Sequence, residues 1–245
     1  MHFKTLAAAL MLTGLAHAQP IALVSGDDYK PYADSKLPEG GMSTELVKKA
    51  FAEVKQDIKV DWLPWKRGLD ETKDGKFAGT FPYLRTPERE KDFLYSDPIV
   101  KIQDFPFVKG GAKKFNFSKI ETLAGSTICL PLGWAPTPKL VEMIKTKSIK
   151  VESPKDLSTC VKMVATNRAD YFITDEAQGL ATLKVSGLAV DSVVMTDVPL
   201  ADTTLYLIAG KDQPGSKALL ASFNKGMEAI RKNGIYAKVV KAHSK

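Results

Sequence analysis

The alternation of strand-like and helix-like segments is the feature that most restricts how this chain can fold. Short apolar runs at residues 21–24, 58–63 and 79–81 predict strands, because each is bounded by polar or turn-forming residues. Between them, apolar residues recur at helical spacing over 46–54, and a second helical pattern follows over 64–74. A β-α-β-α-β order is typical of a parallel sheet with helices packed on its faces, so we expect an α/β fold.

The starts of these two helices carry their own signals. We expect Ser43 or Thr44 to cap the first helix, since a short hydroxyl side chain accepts a hydrogen bond from a free backbone N–H group at that position. Pro64 suits the first turn of the second helix, where the N–H that proline lacks would have no helical partner.

The same pattern restarts in the second half of the chain, after an extended segment at 105–108. The predicted strands are 127–130, 171–174 and 205–209, and the predicted helices are 138–147, 157–166, 177–184, a long one from 216, and a short one after Gly234. Two α/β units fit this order, with the second inserted between parts of the first. The order of segments alone leaves that insertion open.

The first eighteen residues have the pattern of a secretory signal peptide. Lys4 supplies positive charge, residues 6–15 are mostly apolar, and the small residues of Ala16-His17-Ala18 precede an expected cleavage site before Gln19. The apolar stretch is too short to span a bilayer as a helix, and no other segment is long enough. We therefore expect a periplasmic protein without a membrane-inserted segment.

Export changes the interpretation of the two cysteines, Cys129 and Cys160. An even pair in a chain directed to an oxidising compartment favours a disulfide. Closing a loop of about 31 residues would stabilise the fold by roughly 3–4 kcal/mol. The alternative is two buried thiols in one core.

The charged and reactive residues argue against several classes of function. Lys and Arg number 35 against 28 Asp and Glu, a net charge of +7, but no long run of like charges occurs, so we expect no nucleic-acid partner. After the signal segment, His243 is the only histidine, and the chain has no phosphate-binding glycine loop, dinucleotide fingerprint or hydrolase elbow. Hydrolases, NTPases, metalloenzymes and bound cofactors are therefore not expected, whereas an enzyme that uses only carboxylates stays open.

Three stretches carry a family resemblance. Residues 86–91 read TPEREK and 95–98 read YSDP, residues 166–171 read TNRADY before Thr174-Asp175, and residues 226–236 read GMEAIRKNGIY. In order and spacing they are similar to the T-x-E-R…F-S-D-P, G-x-x-D…D and closing segments of the periplasmic solute-binding proteins of polar amino-acid ABC importers. From residue 21 to the end, the chain resembles this family, bacterial extracellular solute-binding protein family 3.

The resemblance implies the type II periplasmic binding fold, in which two lobes close on a ligand by hinge motion. Each lobe would be a mostly parallel sheet flanked by helices, and two crossover segments near 104–110 and 198–205 would join them. Lobe 1 would then comprise 19–107 and 201–245, and lobe 2 would comprise 108–200.

The resemblance also implies a function. The chain would be the substrate-binding component of an ABC importer that captures a small polar, carboxylate-bearing solute and delivers it to an inner-membrane permease. We expect a monomer that is not an enzyme and carries no cofactor.

Four residues match ligand-binding positions of the family. Arg89 matches the arginine that binds the ligand α-carboxylate, and Asp175 matches the carboxylate that binds its amine. Trp65 and Tyr29 match aromatic positions around the ligand side chain. The alternatives are an exposed arginine in a charged run, a helix N-cap for Asp175, and core packing for the aromatic residues.

Two segments depart from the family pattern. Where the family has a glycine and a hydroxyl residue after the third strand, this chain has Pro82 and Leu84, of which Pro82 still offers a carbonyl. In the second lobe, a small hydroxyl-bearing loop becomes residues 132–135, where Trp134 can wall the pocket. These residues are expected to line the cleft, and they leave open whether the solute is an α-amino acid.

Two other functions fit the same fold. An exported enzyme resembling the cyclohexadienyl dehydratases would keep the arginine and use a cleft acid, for which Asp175-Glu176 is the candidate. A binding protein that serves a sensor instead of a transporter would use the same site.

Overall fold

The computed structural model describes residues 19–112 and 115–243, which excludes the expected signal peptide at 1–18. The strands are β1 (Ile21–Ser25), β2 (Ile58–Trp62), β3 (Gly79–Leu84), β4 (Phe93–Lys109), β5 (Thr127–Cys129), β6 (Lys150–Glu152), β7 (Tyr171–Asp175), β8 (Val193–Met195) and β9 (Ala201–Gly210). The α-helices are α1 (Met42–Glu53), α2 (Trp65–Lys73), α3 (Val141–Lys145), α4 (Leu157–Ala165), α5 (Glu176–Val185), α6 (Ser216–Lys232) and α7 (Ile235–His243). Short 3-10 helices occupy Pro38–Gly40, Arg89–Lys91, Ile120–Leu123 and Pro138–Leu140. Within these described ranges, no helix has the length and apolar character needed to cross a membrane.

The strands join two α/β units into one continuous sheet. The strand order is β2-β1-β3-β9-β4-β7-β5-β6, and β8 pairs with β4. Strand β1 pairs in parallel with β2 and β3, and β5 pairs in parallel with β6 and β7, whereas β4 and β9 run antiparallel to their neighbours. We call β1–β3 with α1, α2, α6 and α7 lobe 1, and β5–β7 with α3–α5 lobe 2. The predicted two-lobed α/β fold is confirmed.

Strand β4 connects the two lobes and is much longer than the sequence predicts. It pairs with β9 from Phe93 to Asp104 and with β7 from Asp104 to Val108. The prediction placed only 105–108 in an extended segment. Register shifts around Pro98 break the alternation of buried and exposed side chains in the first half of the strand, which removes the signal for it.

The predicted N-cap of α1 is wrong. The helix begins at Met42 after Gly41, and no side chain caps it. Gly41 has a φ of 94°, and a Cβ atom there would lie 2.7 Å from the backbone oxygen of Tyr32, so the chain can enter the helix this way only through a glycine. Ser43 and Thr44 therefore lie in the first helical turn, where both are buried.

Some short elements also differ from the prediction. The helix predicted over 138–147 is a 3-10 turn followed by the five-residue α3. Strands β6 and β8 have three residues each and were not predicted; β6 is exposed throughout, so it lacks the apolar run that indicates a strand.

Each lobe has its own apolar core. Lobe 1 is built around one cluster that includes Phe51, Phe81 and Phe223. Lobe 2 has two clusters, one on each face of its sheet, since alternate residues of a strand face opposite sides: Tyr171 joins one cluster and Phe172 the other. Lobe 2 therefore divides a smaller core between two layers.

The two cysteines lie in one of these lobe 2 clusters, where they form a disulfide. Their sulfur atoms are 2.10 Å apart and their Cα atoms 5.5 Å apart, so the bridge between Cys129 and Cys160 ties β5 to α4. This confirms the disulfide and excludes the alternative of two thiols.

Candidate ligand-binding site

A cavity lies between the lobes, at the carboxyl ends of β1, β3, β5 and β7. In open α/β sheets, this edge is where ligands bind. The centre of a water molecule can reach about 60 Å³ of the cavity. Its walls are Tyr29, Trp65, Pro82, Tyr83, Leu84 and Arg89 from lobe 1, Gly133, Trp134, Ala135, Thr137, Ile173 and Thr174 from lobe 2, and Ile102 and Asp104 from β4.

The structure brings together six of the seven residues that the sequence placed in the ligand site. Tyr29, Trp65, Pro82, Leu84, Arg89 and Trp134 all border the cavity. The seventh, Asp175, follows the wall residue Thr174 and is itself buried. Sequence reasoning did not identify Asp104 or Tyr83 as wall residues.

Arg89 supplies a buried positive charge on the lobe 1 side. It begins a single 3-10 turn, in which its backbone N–H donates to Thr86 Oγ1 at 3.2 Å. Its Nη1 donates to the carbonyl of Leu84 at 3.1 Å and its Nη2 to the carbonyl of Gly133 at 2.7 Å, while the guanidinium lies 4.8 Å from the ring centroid of Tyr83. Only 9% of the residue is exposed, and burial lowers the pKa of the guanidinium.

No described carboxylate forms an ion pair with this guanidinium. The salt bridges in this charged segment are formed by the residues around Arg89. Arg85 pairs with Glu90, and Lys91 pairs with Glu88. The guanidinium is therefore hydrogen-bonded to carbonyls but not neutralised, and it is buried instead of exposed on the surface.

Asp175 supplies a negative charge on the lobe 2 side. It is the last residue of β7 and the N-cap of α5, where its Oδ1 accepts from the backbone N–H of Gln178 at 3.0 Å and from the hydroxyl of Tyr32 at 3.1 Å. Its Oδ2 is buried and has no hydrogen-bond partner. Burial, with a smaller contribution from Asp104, raises the pKa of Asp175 to about 6. The residue is thus an N-cap with one carboxylate oxygen unused.

Asp104 is a second buried acid, and it borders the cavity directly. Its Oδ2 accepts from the hydroxyl of Thr203 at 2.6 Å and from that of Thr137 at 3.5 Å. Burial raises its pKa above the ordinary value. Asp104 lies opposite Asp175 in the β4–β7 ladder. The available sequence signal was a single acid next to the apolar segment 105–108.

Aromatic rings form much of the remaining wall. The ring of Tyr29 lies 6.0 Å from that of Trp65 and 5.9 Å from that of Trp134, measured between centroids. Trp65 donates from Nε1 to Asp28 Oδ1 at 3.0 Å, and its backbone oxygen accepts from the hydroxyl of Tyr83. Trp134 comes from lobe 2 yet packs against the cores of both lobes, so the rings help to hold the lobes together.

Direct hydrogen bonds also join the lobes around the cavity. Besides the bond from Arg89, the hydroxyl of Tyr32 in lobe 1 donates to Asp175 in lobe 2. The side-chain amide of Gln178 in lobe 2 donates to the backbone oxygen of Asp28 in lobe 1 at 3.0 Å. The structure therefore has the lobes in contact, with the cavity lying between them.

Solved structures with the same fold include binding proteins and an enzyme precursor. An ancestral arginine-binding protein bound to arginine matches with a TM-score of 0.77 and 20% identity, covering 92% of this chain and 98% of the other. The ancestral amino acid-binding protein AncCDT-1, a precursor of cyclohexadienyl dehydratase, matches with a TM-score of 0.71 and 22% identity, covering 92% and 96%. At these identities, the likeness establishes the fold.

Sequence comparison gives the family. The amino-acid-binding protein AabA of Dichelobacter nodosus is 25% identical over 148 residues, which are 60% of this chain and 57% of that protein. The chain thus matches little more than half the length of this relative. The model of the bacterial extracellular solute-binding proteins, family 3, matches residues 21–244. The chain belongs to that family.

Proposed function

We propose that this protein captures an amino acid or a related carboxylate-bearing solute in the cleft and delivers it to an ABC permease. The observation that carries the proposal is the pairing of two uncompensated charges. The buried guanidinium of Arg89 has no carboxylate partner, and the buried carboxylate of Asp175 has no cationic partner, among the described residues. A buried charge is costly without a partner, and a zwitterionic ligand would supply a partner to both.

The hydrogen bonds of Arg89 support a role in binding a carboxylate. A guanidinium carries five N–H donors in a planar fork that matches a carboxylate. Its bond to the carbonyl of Leu84 holds it within lobe 1, whereas its bond to Gly133 crosses to lobe 2. We infer that the ligand carboxylate takes the place of the Gly133 carbonyl when the lobes separate and close again on the ligand.

The cleft walls support a ligand with an apolar or planar side chain. Trp65, Tyr29 and Trp134 give the wall an aromatic character, and Leu84 also borders the cavity while its carbonyl holds Arg89. Apolar walls with a few charged groups are the usual composition of a small-molecule site. Pro82 borders the same space.

We further propose lobe boundaries at 19–107 with 201–245 and at 108–200, so that β4 and the start of β9 act as the hinge. Support comes from β4, which exchanges β9 for β7 as its partner at Asp104. Delivery to a permease from the periplasm, with residues 1–18 as the export signal and the protein as a monomer, completes the proposal. Delivery to a sensor would use the same cleft and differ only in the partner.

A thermal-melting screen tests the proposed function. The protein is melted with each standard amino acid, since a ligand that binds only the native state raises the melting temperature. We expect at least one amino acid to raise it, and Arg89→Ala to remove the response. Arg85→Ala is the matched control, because Arg85 is an exposed arginine four residues away that pairs with Glu90. No response to any amino acid, or an equal response in Arg89→Ala, would contradict the proposal.

A second candidate function is an exported dehydratase, and the raised pKa of Asp175 favours it. A carboxylic acid with a pKa of about 6 can act as a general acid near neutral pH. Of the two adjacent acids that the sequence offers, Glu176 is exposed and Asp175 is buried beside the wall residue Thr174, so Asp175 is the better candidate of the two; Asp104 is a further buried acid on the wall. Incubation with prephenate or arogenate decides this point: an aromatic product that Asp175→Asn fails to form would establish the enzyme.

A further inference from the structure

The residue that the proposed function leaves without a role is Asp104. It lies where β4 changes partner, opposite Ala201 of β9 and opposite Asp175 of β7. Residues directly opposite in an antiparallel pair carry their side chains on the same face, with Cβ atoms about 4.5–5.5 Å apart. The two carboxyl groups are therefore neighbours on one side of the ladder, and Asp104 borders the cavity.

This arrangement is unfavourable for the protein alone. Like charges directly opposite each other destabilise a strand pair, and both residues are more than nine-tenths buried. No Lys or Arg of the described ranges forms an ion pair with either carboxyl group. The partners of Asp104 are the neutral hydroxyls of Thr203 and Thr137, and those of Asp175 are Tyr32 and a backbone N–H, with the neutral hydroxyl of Tyr29 close by. What the pair lacks is a cation.

The free oxygens specify what kind of cation fits. Oδ2 of Asp175 is buried without any hydrogen bond, and the bonds to Asp104 in the described structure all reach its Oδ2 and leave its Oδ1 unused. Both oxygens need hydrogen-bond donors. A primary ammonium offers three donors, whereas a quaternary ammonium offers none, although the rings of Tyr29 and Trp134 could stack on it.

We propose that Asp104 is a ligand-binding residue that shares one primary ammonium group of the solute with Asp175. The proposal rests on the proposed function and extends it, because it adds a second carboxylate and sets the class of solute as one with a primary amine. It also places the ligand amine on the strand that connects the lobes. Thr203 and Thr137 position Asp104 by holding its Oδ2.

Calorimetry on two matched variants tests the proposal. Asp104→Asn removes the charge but keeps an oxygen that can accept from Thr203. Asp202→Asn is the matched control and removes the same charge from a neighbouring strand position. Asp202 is exposed, and its carboxylate accepts a hydrogen bond from the side chain of Gln103. The ligands are the amino acid that gives the largest thermal response, its deaminated analogue and its N-trimethyl analogue.

We expect Asp104→Asn to bind the amino acid about 10- to 100-fold more weakly than the wild type does, as for loss of a hydrogen bond to a charged group. Asp202→Asn should bind like the wild type. For the deaminated analogue, Asp104→Asn and the wild type should bind alike, and the N-trimethyl analogue should bind the wild type at least about tenfold more weakly than the amino acid. Should Asp104→Asn not fold, Asp104→Ser, which retains a hydroxyl for Thr203, provides the same comparison.

Equal binding of the amino acid by Asp104→Asn and Asp202→Asn would overturn the proposal. An equal loss for the deaminated analogue would show a purely structural role and would also overturn it. Tight binding of the N-trimethyl analogue would also overturn the proposal, because it would show that aromatic rings bind a quaternary ammonium at this site. If an amino acid binds in an Arg89-dependent way but Asp104→Asn does not behave as expected, the proposed function stands without a role for Asp104. If no amino acid binds the wild type, the proposed function and the role of Asp104 are both contradicted.

Discussion

The two ends of the cavity carry opposite charges and are built differently. At the lobe 1 end, one guanidinium is held by two carbonyls and an aromatic ring, so Arg89 is well hydrogen-bonded although its charge is not neutralised. At the other end, Asp104 and Asp175 lie opposite each other, and one oxygen of Asp175 has no partner at all. The first end is therefore held by hydrogen bonds within the protein, whereas the second keeps an unpartnered carboxylate oxygen.

This difference shows how a ligand can favour the closed form. Arg89 belongs to lobe 1 and Asp175 to lobe 2, so under the proposed function a solute with a carboxylate and an amine would bridge the lobes. A ligand shifts a conformational equilibrium only through different affinities for its states. In this account, contact with both ends at once is available only in the closed form.

The largest expected effect on ligand affinity comes from the lobe 1 end of the cavity, where Arg89 lies. Arg89→Ala should reduce the binding free energy of a carboxylate ligand by about 2–5 kcal/mol, the range for truncating one partner of a buried charge pair. Calorimetry with the ligand found by melting measures this loss, and Arg85→Ala should bind normally. Binding by Arg89→Ala as tight as that of the wild type would remove the arginine from the site and leave the acidic end alone responsible for affinity.

The disulfide lies beneath the acidic end and gives the next largest effect. Cys129 pairs in register with Phe172 of β7, three residues before Asp175. Replacing Cys129 and Cys160 with alanine should lower the free energy of unfolding by about 3–4 kcal/mol in chemical denaturation, because the unfolded chain regains entropy. Amide exchange should rise in β5 and β7 more than in β1 and β3. A uniform rise in both lobes would contradict a local effect.

The pH dependence tests the acidic end, because burial places the pKa of Asp175 at about 6, the same value as that of Asp28 beside Trp65. The pKa of Asp175 rises from 3.8 to about 6 on folding, so between these values the native state binds more protons than the unfolded chain. Stability from this group therefore increases as pH falls from about 6 to 4, by up to about 3 kcal/mol.

Affinity for an amine should change in the opposite direction, since a proton then competes for the same carboxylate. Denaturation and calorimetry at pH 4.5 and pH 7.5 measure both quantities, these values bracketing the shifted pKa of about 6. Asp175→Asn, which cannot titrate there, should lose the part of both dependences that this carboxyl group contributes, while Asp28 and Asp104, whose pKa values burial also raises, keep theirs. If both dependences are undiminished in Asp175→Asn, these other carboxyl groups account for them.

The smallest expected effect comes from the bond that links the lobes beside the acids. Tyr32→Phe removes the hydroxyl that donates to Asp175 Oδ1 at 3.1 Å and leaves the ring. Because Tyr32 acts on the ligand only through Asp175, its loss should weaken binding by about 0.5–1.5 kcal/mol, the net contribution of a typical hydrogen bond, measured by calorimetry. Tyr236→Phe, far from the cleft in α7, is the control. Unchanged affinity in Tyr32→Phe would show that this bond has no part in holding the ligand.

The sequence predicted the lobe 1 end of the site better than the other end. Arg89, Trp65 and Tyr29 lie in segments whose pattern or family motif is visible locally, and all three border the cavity. Asp104 was not predicted, because a single acid next to the apolar segment 105–108 gives no local sign that it faces a cavity. Its significance depends on Asp175, a pairing that only the fold creates.

The contact between Arg89 and Gly133 was also beyond sequence reasoning, for a related reason. The two residues are 44 positions apart and belong to different lobes, so their proximity depends on closure. Trp134 was expected to wall the pocket, and it does, but its packing against both cores could not be read from a loop sequence. Local patterns specify elements, whereas contacts between lobes require the tertiary arrangement.

A crystal structure of the complex with the bound amino acid would show whether the ligand bridges Arg89 and Asp175. We expect closed lobes, a ligand carboxylate oxygen about 2.7–3.2 Å from the Arg89 guanidinium in place of the Gly133 carbonyl, and the ligand nitrogen at a similar distance from Asp175 Oδ2. A ligand nitrogen within the same reach of Asp104 would add the second carboxylate. A closed complex in which Arg89 keeps its bond to Gly133 and the ligand carboxylate lies elsewhere would contradict the account.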